Sequence, residues 1–343
     1  MFGGALADAI GTSKDRCLTQ NSQRWTSGKR RTLIVSGLLA ALAYVAAGLL
    51  TDAGRLGDAL RQLGWGGCGA VLGLSLVNYL LRFVRWQHYL VKLGRSLPAG
   101  RHLAVYLSGF AFTVSPAKAG EAVRSLYLRD HGVTYSESIA ALFVERLLDL
   151  LAIVLLASMI VLDHAAYRSL LIAAVALLAV LLFGVCRPVT LKWVERLALR
   201  FHGRAASLLG AFANVLRSSR RLLHLKPLLY GIAIGLIAWA AEGLGFRFIC
   251  LVLHIDGSIT TFIGIYALAV LAGSAAFFLP AGIGGMEIVM TTLLIEQGAT
   301  LRVAIIATLL CRLATLWFAV ILGAGAAAAI EVSDRPLRAR VAP

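Results

Sequence analysis

The sequence predicts an all-α polytopic membrane helix bundle with two re-entrant broken helices arranged as inverted repeats. Three observations carry this. The chain is 59% apolar with a mean hydropathy of +0.82, where soluble globular chains are about half apolar. Its apolar residues gather into runs long enough to cross a bilayer. Two further apolar runs stop at Pro and Gly clusters, which open the backbone hydrogen-bond ladder and survive at membrane depth only inside protein or against a wet cavity.

Full spans are expected at roughly 32–50, 65–84, 137–162, 170–186, 227–253 and 303–330. Residues 1–31 form a basic cytoplasmic tail ahead of a retained first span, and 331–343 form a short cytoplasmic tail. Residues 32–330 form one membrane domain. The interrupted runs are Leu103 to Val114, ending at Ser115-Pro116, and Thr261 to Leu279, ending at Pro280-Ala281-Gly282-Ile283-Gly284-Gly285. If both dip in and return, segment 187–226 falls in the cytoplasm. It carries nine Lys or Arg against the single acid Glu195. Letting the first run cross would push that basic segment outside, against the positive-inside rule. Within it, Trp193, Val194, Leu197 and Phe201 recur at helical spacing opposite basic residues. They mark either an interfacial amphipathic helix or a solvated helix packed on the bundle.

The formal charge of +16 belongs to these loops and to anionic headgroups rather than to nucleic acid, since no soluble basic domain remains outside the apolar runs. The five cysteines form no CxxC pair and the seven histidines show no ligand spacing, so no metal or other cofactor is expected. The string Gly282-Ile283-Gly284-Gly285 follows a membrane helix rather than a strand and has no P-loop Lys, which excludes a nucleotide loop.

The interrupted runs resemble each other. Gly109 to Pro116 and Gly273 to Pro280 are both seven residues; Glu121 to Arg146 and Glu287 to Arg312 are both 25. The repeat halves are about 65–165 and 227–330. With the topology above they run in opposite directions, the usual architecture around an alternating-access site. Ionisable residues inside the spans sharpen the expectation. Glu145, Arg146 and Asp149 share one broad helical face; Arg312 sits in the counterpart helix, and Glu242 and Arg247 in 227–253. Such charges are costly and face a bundle interior or water. They are either a functional site or mutually neutralised structure. Arg82 and Arg85 either join that site or snorkel to the interface. Arg124 either grips a phosphate or pairs with Glu121 on a surface turn.

At these residues the chain resembles the lysylphosphatidylglycerol synthase transmembrane region, a flippase-like integral membrane family. The resemblance rests on Arg82-Phe83-Val84-Arg85-Trp86, Pro116-x-x-x-Gly120-Glu121-x-x-Arg124, Glu145-Arg146-Leu147-Leu148-Asp149 and Pro280-Ala281-Gly282-Ile283-Gly284-Gly285-Met286-Glu287. It covers roughly residues 30–330. It implies translocation of an anionic or lipid-linked substrate between leaflets. The candidate substrate residues are Arg82, Arg85, Pro116, Gly120, Glu121, Arg124, Glu145, Arg146, Asp149, Pro280, Gly284, Gly285, Glu287 and Arg312, with no catalytic residue among them. Family members with an attached soluble synthase domain transfer aminoacyl groups; this sequence ends at Pro343, so that activity is not expected. The expected partners are membrane lipids, with a lipid-synthesis enzyme or a second copy of the chain also admissible. The expected location is the bacterial cytoplasmic (inner) membrane with both termini inside. A membrane-embedded enzyme or a scaffold in glycolipid, phospholipid or hopanoid synthesis stands as the alternative.

Overall fold

The computed structural model describes residues 53–113, 124–129, 132–161, 165–276 and 284–339. The span expected at 32–50 lies outside them, as do Pro116, Gly120, Glu121 and Pro280. Among the described residues the chain is helical and has no strand. The helices are α1 (Ala53–Lys92), α2 (Ala99–Ser108), α3 (Arg124–Arg129), α4 (Tyr135–Val161) and α5 (Arg168–Cys186). Then follow α6 (Pro188–Arg200), α7 (Arg204–Leu222), α8 (Leu225–Val252) and α9 (Ile259–Ala275). Last come α10 (Gly285–Glu296), α11 (Leu301–Arg312) and α12 (Phe318–Ala339).

Local sequence explains where these elements begin. Thr134 and Glu137 form a capping box at α4: the Glu137 carboxylate accepts the Thr134 N–H at 2.9 Å and the Thr134 hydroxyl accepts the Glu137 N–H at 3.3 Å. Ser258 caps α9 through the Thr261 N–H at 3.0 Å, and Thr300 caps α11 through the Val303 N–H at 3.5 Å. In α1 the helix breaks at Gly64 (φ 61°), so the stretch that follows coincides with the start of the expected span at 65. Among the described residues, four helices are long and apolar enough to cross a membrane by composition: Leu56–Lys92, Arg168–Cys186, Leu225–Val252 and Leu301–Ser333. Of α5, only Ala174, Leu178 and Val185 are buried, and Ile172, Val175, Leu177, Val180 and Phe183 are exposed. An apolar helix with so little protein cover suits hydrocarbon as its solvent.

Packing joins the halves reciprocally. Helices α1 and α8 lie side by side. The long helix of the first half, α4, packs on α9 of the second; α12 of the second packs on α2 and on the 3-10 turn Gly109–Phe112 of the first. Each interrupted run is therefore held by the long helix of the other half. Between α11 and α12 the chain takes one π-helical turn, Leu313–Trp317, and the Thr315 carbonyl accepts the Tyr79 hydroxyl at 2.5 Å. Such turns are rare inside α-helices and frequently accompany functional positions.

Segment 187–226 differs from its expected form. It folds as two helices rather than one, broken at 201–203 with Gly203 at φ 65°. Phe201 stands outside α6, and of the expected stripe Val194 is buried while Trp193 and Phe201 are exposed. The missing cover comes from α7, which packs against both α6 and α4 and buries Ala213, Leu216 and Leu222. A salt bridge of 2.6 Å between Arg217 and Glu195 links the pair.

Candidate functional site

Two carboxylates on α4 gather four guanidinium groups. Glu145 and Asp149, four residues apart, point from one face into the bundle and are almost fully buried. Arg82 on α1 approaches Glu145 Oε1 at 3.2 Å and Asp149 Oδ2 at 3.3 Å. Arg85, one turn further, reaches Asp149 Oδ1 at 2.5 Å and donates to the Gly231 carbonyl at 3.3 Å. Arg124 lies 3.5 Å from Glu145 Oε2. Arg146 reaches Glu145 at 3.3 Å and Asp149 at 3.6 Å. Two neutral donors complete the shell: the Tyr106 hydroxyl on Glu145 at 2.8 Å and the Trp239 indole N–H on Asp149 at 3.2 Å.

Burial removes one alternative each for Arg82, Arg85 and Arg124. Arg85 is 0% exposed and Arg82 6%, so neither snorkels to an interface. Arg124 is not on a surface turn: it is buried, with its guanidinium carbon 4.7 Å from the Trp86 ring centre and 4.6 Å from that of Tyr106. Two adjacent rings against one guanidinium hold it in place while leaving it open to the carboxylate. Burial of so many charges is tolerable only because each carboxylate has several donors; removing one partner of such a pair typically costs about 3–5 kcal/mol.

The second half carries a smaller counterpart. The Glu287 carboxylate accepts the Gly284 N–H at 2.8 Å and takes the Arg312 Nε at 2.8 Å through its other oxygen. Gly284 has φ 97°, which glycine adopts without steric cost. At Gly285 a Cβ would stand 2.9 Å from the Ala272 carbonyl oxygen, so glycine here lets α10 close on α9. Glu242 on α8 accepts the Tyr266 hydroxyl at 2.5 Å.

Between the two groups lies a cavity of about 100 Å³. From the first half it is lined by Tyr79, Arg82, Phe110, Thr113 and Arg146; from the second, by Trp239, Glu242, Tyr266, Ser274, Arg312 and Thr315 among others. The two arginines at matched sequence spacing, Arg146 and Arg312, thus reach one space. Arg85, Arg124, Glu145 and Asp149 stand behind the wall and orient Arg82 and Arg146. Gly284, Gly285 and Glu287 stand behind Arg312. Pro116, Gly120, Glu121 and Pro280 lie outside the described residues.

Sequence reasoning missed Tyr106, Trp239, Tyr79 and Tyr266. The available signal was a polar tip inside an apolar run, since buried Tyr and Trp normally find a partner. Chemically, the cavity offers fixed guanidinium donors at one set of positions and a carboxylate at another. Among the described residues no three His, Cys, Asp or Glu side chains converge at metal-ligand spacing.

The fold and site define an integral membrane helix bundle with a charged cavity shared by its two halves. The sequence profile described as "Lysylphosphatidylglycerol synthase TM region" matches residues 33–323, and the chain belongs to that family. It is similar to a "UPF0104 membrane protein" of Methanothermobacter thermautotrophicus, 27% identical over 327 aligned residues, 87% of this chain and 94% of that protein. It is also similar to "Glycosyltransferase AglD" of Haloferax volcanii, 35% identical over 150 residues. That match takes in 41% of this chain and spans 23% of the glycosyltransferase's length.

Proposed function

We propose that this protein moves a lipid with an anionic, phosphate-bearing headgroup between membrane leaflets, and that the headgroup occupies the cavity between the halves. One observation carries the reading: Arg146 and Arg312, from opposite halves, line the same cavity together with Arg82. Arginine grips phosphate in a fixed orientation, and a site shared by two halves is what alternating access requires. The protein acts in the cytoplasmic membrane with both termini inside, the orientation that keeps the basic helices α6 and α7 in the cytoplasm.

Transport is favoured over catalysis. A general acid or base must reach its substrate, whereas Glu145 and Asp149 stand behind the cavity wall with their oxygens held by guanidinium groups. The second reading is a role as enzyme or accessory in glycolipid synthesis, favoured by the likeness to a protein named a glycosyltransferase. Purified protein in liposomes, assayed for movement of acyl-labelled lipids and for chemical change in them, separates the two. Leaflet exchange of unmodified lipid supports transport; a modified lipid without exchange overturns it.

A further inference from the structure

We infer that the helical hairpin α6–α7 is a docking surface for an anionic bilayer. Its turn end rests on the leaflet from which the hairpin emerges, with apolar side chains in the headgroup layer and basic ones on lipid phosphates. This docking requires no lipid to cross the membrane.

Placement comes first. Only Arg187 separates the end of α5 from Pro188, the first residue of α6. Only Leu223 and His224 separate α7 from α8. Helices α5 and α8 are both long and apolar enough to span. The hairpin is thus fastened to a span at each end, and α7 packs on α4 as well. It is held at the membrane whatever its own composition.

Composition decides what its free side meets. On α6, Val189, Lys192, Trp193, Arg196 and Arg200 follow one another at steps of three and four and so share one side. All five are exposed, while Val194 on the other side is buried. Leu199 and Phe201 before the turn, and Leu208 and Phe212 after it, are exposed too, Leu199 at 84% and Leu208 at 71%. Water is a poor solvent for large apolar side chains bunched around one turn. Hydrocarbon is a poor solvent for Lys192, Arg196, Arg200 and Arg204. The headgroup layer suits both: apolar side chains enter the acyl boundary while the long basic ones reach phosphate.

Charge selects the lipid. Residues 187–226 carry nine Lys or Arg and one acid, Glu195, whose carboxylate is held by Arg217 at 2.6 Å. A surface of that balance is drawn to an anionic leaflet. A neutral leaflet offers the apolar burial without the attraction. An acidic protein would match the charge, but the fastening at two spans favours the bilayer, which is always within reach.

The test is amide hydrogen exchange of the wild-type protein in nanodiscs, whose two leaflets are alike so that orientation does not matter. The disc lipid is phosphatidylcholine alone, or mixed with phosphatidylglycerol or with phosphatidylserine. Amides of 199–212 should exchange about tenfold or more slowly in either anionic disc than in the neutral one, and high salt should erase the difference. In a cysteine-free background, a polarity-sensitive dye on Phe212→Cys should shift to the blue in anionic discs and be quenched by lipid-borne nitroxide rather than by iodide. Arg196→Gln/Arg200→Gln/Arg204→Gln should lose the anionic dependence in both readouts with its melting profile unchanged. If that variant fails to fold, the wild-type exchange still decides. Equal exchange in all three discs, with the dye open to iodide, overturns the inference and leaves a solvated hairpin. A dye shielded from both quenchers also overturns it and assigns the surface to a protein contact. A response to only one of the two anionic lipids overturns it in favour of a specific headgroup site.

Discussion

Arg146 and Arg312 stand 166 positions apart in the chain, yet both side chains line one cavity. They differ in setting. The Arg146 side chain is 28% exposed and shares two carboxylates with three other arginines; that of Arg312 is 8% exposed and is tied to Glu287. On the proposed reading, Arg146 would exchange a carboxylate contact for the headgroup and Arg312 would hold it from a fixed placement.

The first prediction separates Arg146 from Arg85. Arg85 is fully buried and bonded to Asp149 and the Gly231 carbonyl. Arg85→Ala should destabilise the fold by about 3–5 kcal/mol. Arg146→Ala should lower the melting temperature less and slow lipid movement more. Melting and transport are measured on the same preparation. Full activity in an Arg146→Ala/Asp149→Ala double variant, after failure of the single variant to fold, would assign Arg146 a structural role only.

The second prediction concerns Tyr106. Its hydroxyl donates to the buried Glu145 at 2.8 Å while its ring supports Arg124. Tyr106→Phe keeps the ring and removes the hydrogen bond, for a loss of about 1.5–3 kcal/mol. Tyr106→Leu should lose more, because the ring beside Arg124 goes too. Equal melting temperatures for the two variants would show that the ring contributes nothing to placing Arg124.

The bundle itself was legible: the expected spans after residue 65 coincide with α1, α4, α5, α8 and α11–α12 because long apolar runs have few alternatives. The clustering of Arg82 and Arg85 with Glu145 and Asp149 was half legible. Spacing places the two acids on one face of α4, but it says nothing of which helix packs there. Tyr106 reaches Glu145 from α2 and Trp239 reaches Asp149 from α8, so neither partner follows from the spacing within α4. The break at 201–203 escaped notice because the apolar spacing runs on through it, and Gly203 alone is a weak stop.

A third prediction is a control. Arg217 and Glu195 form a close but exposed ion pair between α6 and α7. Exposed pairs contribute about 0–1 kcal/mol, so Arg217→Ala should leave both melting and lipid movement within error. A large fall in stability would mean that this pair, rather than the wider packing between the two helices, holds α6 on α7.

The fourth prediction is topological. With the basic segment 187–226 inside, a cysteine placed at Ala205 at the start of α7 should react with a membrane-impermeant reagent only from the cytoplasmic side. The background must lack the native Cys17, Cys68, Cys186, Cys250 and Cys311. Labelling from the outer face alone would reverse the orientation and with it the re-entrant reading of the two interrupted runs.

On the proposed reading, one cavity gripped from both halves carries a lipid headgroup across the membrane. The most direct test is dithionite bleaching of acyl-labelled phosphatidylglycerol in liposomes, with wild-type protein, Arg146→Lys, Arg312→Lys and the double variant. Lysine keeps the charge but loses the planar two-point grip on phosphate. The account predicts movement above protein-free liposomes for the wild type and a fall of about tenfold or more in either single variant. It also predicts a double variant little worse than the worse single one, because both arginines serve one headgroup. Wild-type rates in all three variants, with the protein folded, would contradict it.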